Sequence, residues 1–216
     1  MKIAILGTGD VAQSLAKGFL SEKHSVKIGS RTSGTKLAEA LKKLTDGGFS
    51  AEGGTFSEVA KWADTIVVAT LGTEIVSTIN GAGPQNLAGK LVLDATNPLD
   101  FSAGFPPKLA YIGGQSAGSA CQKAAPDAKV VKCFNTVGHG FFYKPNFKDG
   151  TPDMFICGDN HEAKLAATEL VKSFGWGAKD VGSMALSGAL EAMCITWLGF
   201  GATSNTWHHA FKLLTK

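Results

Sequence analysis

Lys2-Ile3-Ala4-Ile5-Leu6-Gly7-Thr8-Gly9-Asp10-Val11-Ala12 opens the chain, an apolar run that breaks on two glycines and passes straight into a segment of helical period. The glycines fit the pattern G-x-G-x-x-G/A, and each position has a physical reason. Gly7 makes the tight turn, Gly9 lets backbone N–H groups approach a pyrophosphate, and Ala12 keeps the helix close to the sheet. A pyrophosphate there lies on a helix N-terminus, where unpaired N–H groups and the helix dipole favour an anion. A glycine-rich turn alone says little. With a strand before it and a helix after it, this one predicts a dinucleotide-binding βα unit.

The rest of the chain repeats that unit. Short runs rich in Val and Ile predict strands at 2–6, 26–29, 65–69, 90–95, 129–134, 154–157 and, more weakly, 178–181. Helical periodicity falls at 11–20, 35–44, 57–62, within 74–80, and at 116–123, 162–174 and most of 186–214. Near-continuous apolar strands such as Ile66-Val67-Val68-Ala69 belong to a parallel sheet covered on both faces. The fold class is therefore α/β, a doubly wound, mostly parallel sheet of the Rossmann NAD(P)-binding kind, with a small helical C-terminal segment. A seam at 182–188 divides residues 1–183, the NADP-binding domain, from residues 184–216, a helical cap or dimer segment. Residues 102–118, with Gly104, Pro106, Pro107, Gly113, Gly114 and Gly118, read as a long irregular loop, a usual place for a lid or site wall.

Composition narrows the function classes. The 216 residues are 44% hydrophobic and 18% charged, which excludes a disordered chain, and the 27 glycines follow no G-x-y period. A net charge of +3 without a basic stripe argues against nucleic acid as partner. Cys121, Cys133, Cys157 and Cys194 fall in no metal-ligand spacing and read as buried thiols of a reducing, cytoplasmic compartment. Residues 192–211 carry no Asp, Glu, Lys or Arg, yet their Thr, Ser, Asn and His residues are too polar for a membrane span and predict a buried helix.

The end of the second strand selects the nucleotide. NAD sites of this kind carry an acid about 20 residues after the glycines, whereas this strand ends in Gly29-Ser30-Arg31-Thr32, with no acid before Glu39. Arg31 can grip a 2′-phosphate with a charge-assisted fork, Ser30 and Thr32 can add hydroxyls, and Lys36 a second charge. That set predicts NADP(H). Other strand ends read Ala69-Thr70-Leu71-Gly72, Ala95-Thr96-Asn97-Pro98-Leu99 and Phe134-Asn135-Thr136-Val137-Gly138-His139. Thr70, Asn97 and Asn135 can face ribose and nicotinamide, or simply begin their loops.

These motifs, with Lys132-Cys133-Phe134-Asn135-Thr136, Phe155-Ile156-Cys157-Gly158-Asp159 and the stretch from Gly182 to Glu191, resemble in order and spacing the NADP oxidoreductases dependent on coenzyme F420, a 5-deazaflavin. The reductase domain of the membrane metalloreductases is similar. The resemblance implies direct hydride transfer between nicotinamide and a flat ring, F420 or a flavin, with no catalytic side chain and the protein aligning two rings. It implies that Thr8, Asp10, Val11, Ser30, Arg31 and Lys36 hold phosphates. Ala69, Thr70, Leu71, Asn97 and Pro98 would line ribose and nicotinamide, and Asn135, Thr136, Val137 and Leu186 would face the second ring. It also implies a homodimer whose partner molecule is a small hydride donor or acceptor; no membrane is expected, from the polar residues of 192–211.

One stretch departs from the family. The loop Val137-Gly138-His139-Gly140-Phe141-Phe142-Tyr143 either stacks on a ring acceptor or forms core beneath a loop, and His139 is a candidate general acid. No histidine has a second metal ligand at useful spacing. The single arginine argues against dehydrogenases of small hydroxy acids, which need one for the substrate carboxylate. Two readings remain: an NADP(H)-dependent oxidoreductase, or an NADP(H)-binding redox sensor or partner module without turnover.

Overall fold

The computed structural model describes residues 1–110 and 116–216. Among the described residues the strands are β1 (Lys2–Leu6), β2 (Ser25–Ser30), β3 (Glu52–Thr55), β4 (Thr65–Val68), β5 (Leu91–Asp94), β6 (Leu99–Asp100), β7 (Lys108–Leu109), β8 (Lys129–Lys132), β9 (Asp153–Gly158) and β10 (Gly177–Asp180). The helices are α1 (Asp10–Ser21), α2 (Thr35–Asp46), α3 (Phe56–Trp62), α4 (Ile75–Ala82), α5 (Ala117–Ala124), α6 (His161–Ser173) and α7 (Ser187–Ser204). Eight strands form one sheet in the order β10-β9-β8-β5-β4-β1-β2-β3, while β6 and β7 pair antiparallel in a separate ribbon. β9 runs antiparallel to β8; the strands from β8 to β3 are parallel. The chain steps outward from β1 to β2 and β3, then returns with β4 on the other side of β1. Strand order thus reverses between β1 and β4, where sheets of this kind receive ligands.

The period-2 alternation of β1 serves two cores at once. Ile3 and Ile5 pack with Leu15 and Phe19 of α1, Leu37 of α2 and Val171 of α6. Ala4 and Leu6 pack on the opposite face with Val59 of α3, Ile79 of α4 and Cys121 of α5. All four of these β1 side chains are fully buried. Each large apolar side chain so buried contributes about 1.5–3 kcal/mol.

Three elements differ from the sequence expectations. β3 reads Glu52-Gly53-Gly54-Thr55 and offers no apolar signal; its glycines let α2 lie close, since a Cβ on Gly53 would stand 2.9 Å from Leu37. The expected irregular loop carries the β6–β7 ribbon in part and yields to helix by Ser116, whose Oγ caps α5 by accepting from Ser119 N–H at 3.1 Å. Gly113 and Gly114 lie outside the described residues. The C-terminal helix is shorter than its period suggests, because Asn205 ends it in the left-handed region (φ 50°). Residues 205–216 fold back as a strap without regular secondary structure. Trp197 Nε1 donates to the His209 carbonyl at 2.9 Å, the two rings stack at 4.6 Å, and Asp153 N–H donates to the Phe211 carbonyl at 2.9 Å. α7 is long and apolar enough to cross a membrane by length and composition; in the fold its Glu191 is fully buried at the carboxyl ends of β5 and β8.

Candidate functional site

Parallel register places Gly29, Leu6, Val68, Asp94 and Lys132 in one row across β2, β1, β4, β5 and β8. The residues that follow build the site. Gly7 adopts φ +139°, its N–H donates to Gly29 O at 3.0 Å, and a Cβ there would collide with the Ala69 carbonyl. Only glycine suits that turn. Gly9 caps α1 with no side chain on the first-turn N–H groups, and nothing lies within 4 Å of where its Cβ would stand. Ala12 is fully buried, Thr8 and Val11 half-buried, Asp10 exposed. An uncapped, glycine-bared helix N-terminus fits the pyrophosphate of a dinucleotide.

At the end of β2, the Ser30 hydroxyl donates to the Thr32 carbonyl (2.5 Å) and accepts from Thr32 N–H (3.3 Å). This closed turn turns Arg31 outward, 78% exposed, with Glu74 Oε2 4.0 Å away. Lys36 is also exposed, in the first turn of α2, which holds no acid. Two cations at an acid-free helix start suit a phosphate on the ribose.

The remaining strand ends form the other half of the edge. Ala69 is buried, the Thr70 hydroxyl bonds that of Thr78 at 3.0 Å, and Leu71 stands 72% exposed. Gly72 packs on the Asn97–Pro98 peptide, where a Cβ would overlap it, drawing the β4 and β5 loops together. Asn97 and Asn135 face each other. Asn97 Nδ2 donates to the Asn135 carbonyl at 2.8 Å, and Asn135 Nδ2 donates to Asn97 Oδ1 and to the Leu190 carbonyl, each at 2.9 Å. Phe134, in the left-handed region (φ 57°), turns the chain so that Asn135 reaches its partners. Such a conformation costs a bulky residue about 1–3 kcal/mol and persists only when its surroundings over-determine it. Thr136 is buried with its hydroxyl toward Met154 Sδ at 4.0 Å, Val137 is buried, and Leu186 is exposed.

Beneath these loops lies a charged cluster that no sequence motif signals. Lys132 Nζ is 2.9 Å from Asp94 Oδ2 and 2.8 Å from Glu191 Oε1, and donates to the Thr96 carbonyl at 2.6 Å. All three side chains are fully buried. Asp94 also accepts from Thr96 N–H at 2.9 Å, and Glu191 from Ala117 and Gly118 N–H at 3.2 and 3.1 Å, closing the start of α5. Burial pulls the Lys132 ammonium down, but Asp94 and Glu191 outweigh it and hold its pKa above the ordinary lysine value. The faint trace in the sequence is a charge at the end of each apolar strand and one acid within an apolar helix.

All four thiols are free and buried. Burial, the dominant cause, and the Asp94 carboxylate push Cys121 and Cys133 well up. Burial likewise raises Cys157 to about 12 and Cys194 to about 11.

The aromatic loop resolves as core: Phe142 is buried edge-on to Phe134, and Tyr143 donates to Glu22 at 2.8 Å. His139 is exposed at the flank of α1, 3.0 Å from Ser14 Oγ. Two surface clefts, about 450 and 480 Å³, lie around Gln122, Pro126 and Asp159 near the amino end of β8, away from the carboxyl edge of the parallel strands.

Comparison with known proteins identifies relatives of the chain. The profile of the family described as NADP oxidoreductase coenzyme F420-dependent matches residues 2–98. The chain is 31% identical over 193 residues to the rat metalloreductase STEAP3, covering 89% of this chain and 36% of that protein. It therefore spans about a third of that curated relative's length. It is 28% identical over 201 residues to the F420-dependent NADP reductase of Methanothermobacter marburgensis, covering 88% of each. The crystal structure of a candidate F420-dependent NADP reductase from Arthrobacter sp. FB24 superposes with a TM-score of 0.90 at 31% identity over the whole of both chains.

Proposed function

This chain belongs to the family of NADP oxidoreductases dependent on coenzyme F420, and we propose that it binds NADP(H) along the carboxyl edge of its sheet and exchanges hydride with a flat ring acceptor, F420 or a flavin. NADPH, when bound, supplies a hydride from its nicotinamide ring. The observation that carries the reading is the row of strand ends: a bared helix N-terminus at Gly9, two exposed cations at Arg31 and Lys36, and the Asn97–Asn135 pair two strands further on. That span suits an extended dinucleotide with its 2′-phosphate at β2 and its nicotinamide over β4, β5 and β8.

The chain's own residues then act by placement. Gly9 admits the pyrophosphate to the N–H groups of α1, Arg31 grips the 2′-phosphate, and Thr70, Leu71, Asn97 and Pro98 fix the plane of the nicotinamide. The exposed Leu186 borders the space for the second ring, an open edge that suits a large flat partner, with Asn135, Thr136 and Val137 packed behind it as its support. A second copy of the chain on the outer face of α7, around Ala189, Ala192 and Phe200, belongs to the same proposal, as does work in a reducing compartment.

The test is NADPH oxidation, followed by dihydronicotinamide absorbance, with F420, FMN, FAD and a simple quinone offered in parallel. Turnover with one ring acceptor supports the proposal and names the acceptor. Tight NADPH binding without turnover on any of them favours the sensor reading instead.

A further inference from the structure

We propose that the buried Lys132–Asp94–Glu191 cluster is an electrostatic seat for the oxidised nicotinamide, so that the protein holds NADP+ more tightly relative to NADPH than an uncharged floor would. This rests on the reading above, in which the nicotinamide half lies over the ends of β4, β5 and β8.

The charge count comes first. Two carboxylates face one ammonium, which leaves one net negative charge with all three side chains fully buried. Lysine remains charged there, held above its ordinary range by both carboxylates. The neighbouring thiols stay protonated and neutral. Ala117 and Gly118 N–H groups offset Glu191 only through partial charges. Buried ion clusters rarely stabilise a fold better than apolar side chains of the same size, so stability alone is a weak reason for this one.

Its position supplies the better reason. Asp94 and Lys132 are register partners in the row that begins at the glycine cradle. Asp94 is two strands from Leu6, or about 10 Å at ordinary strand spacing. Lys132 holds the carbonyl of Thr96, the residue before Asn97, and Asn135 donates to the carbonyl of Leu190, the residue before Glu191. The cluster therefore touches the lining twice, through the Thr96–Asn97 peptide of the loop after β5 and through the turn of α7 that holds the Asn135 amide. Removing a hydride, a proton with two electrons, from a neutral dihydronicotinamide leaves a singly positive ring, and the acceptor takes that hydride together with a proton from solvent. A negative charge buried behind the ring favours the positive form and is little screened by salt.

The test measures dissociation constants of NADP+ and NADPH, by calorimetry, for the wild-type chain, Glu191→Gln and Asp94→Asn. Both substitutions keep shape and remove one negative charge. The expected result is that the ratio of the NADP+ to the NADPH constant rises about tenfold in each variant. Because it is a ratio, partial unfolding cancels and a merely structural role leaves it unmoved. An unchanged ratio in either folded variant overturns the proposal. Failure of the underlying reading looks different: the wild-type chain would then bind neither nucleotide.

Discussion

Gly9→Ala separates binding from folding more cleanly than any other change in this chain. Gly9 has φ −75° and ψ −177°, extended backbone open to any residue, and a Cβ there touches nothing within 4 Å. Two small effects on stability oppose each other. Alanine is a poorer N-cap than glycine by about 1 kcal/mol, while it stiffens the unfolded chain and returns about 0.4–1 kcal/mol. The net change should lie within about 0.5 kcal/mol, or roughly 2 °C in Tm for a domain of this size. The same methyl stands where phosphate oxygens must reach the N–H groups of α1. Losing one or two hydrogen bonds to a charged group costs about 2–4 kcal/mol, which is roughly a 30- to 1,000-fold loss of affinity. Gly7→Ala is the counterpart. Its φ of +139° and the collision with the Ala69 carbonyl should lower Tm and binding together. NADPH fluorescence titration beside a thermal melt reads both. A Gly9→Ala chain that melts like wild type and binds NADPH equally well would refute the assignment of the pyrophosphate to this helix.

Three further outcomes follow from the geometry. Arg31→Ala should weaken NADPH binding about tenfold and leave NADH nearly unchanged, because an exposed guanidinium, held only by a long contact to Glu74 at 4.0 Å, contributes a screened charge-assisted contact; equal losses for both nucleotides would remove the 2′-phosphate from β2. Lys132→Met strands two buried carboxylates and should cost about 3–5 kcal/mol by chemical denaturation. The sign with pH is fixed by the raised lysine: its contribution is complete below the ordinary lysine pKa and fades as pH climbs through the higher folded value. In native protein at mildly alkaline pH, iodoacetamide should label none of the four cysteines, while all four react once the chain is denatured, since burial holds Cys157 near 12 and Cys194 near 11. Rapid labelling of any thiol in the folded chain would contradict its burial.

Legibility in the sequence tracked distance along the chain. The β1–Gly7–Gly9–α1 unit was plain because its strand, turn and cap are neighbours, and Arg31 was plain because one residue type at one strand end decides the charge there. β3 escaped because its two glycines and polar ends carry no apolar period, although backbone pairing with β2 needs none. The end of α7 escaped because the apolar composition runs past Ser204, while Asn205 and the Trp197–His209 contacts turn the chain back. The aromatic loop admits two readings in the sequence, and the packing of Phe142 on Phe134 selects the core.

By itself, then, the sequence determined the layered α/β sheet, the glycine turn that opens α1 and the cation at the end of β2 from which a 2′-phosphate is proposed, all features set by hydrophobic period, turn chemistry and the charge of adjacent residues. Tertiary structure alone decided the floor of the site. Asp94, Lys132 and Glu191 lie on two strands and a distant helix, and only the β5–β8 register and the docking of α7 bring their charges within 3 Å. Desolvation and pairing are properties of that meeting, and the faint local trace of it, a charge ending each apolar strand and one acid in an apolar helix, names no partner.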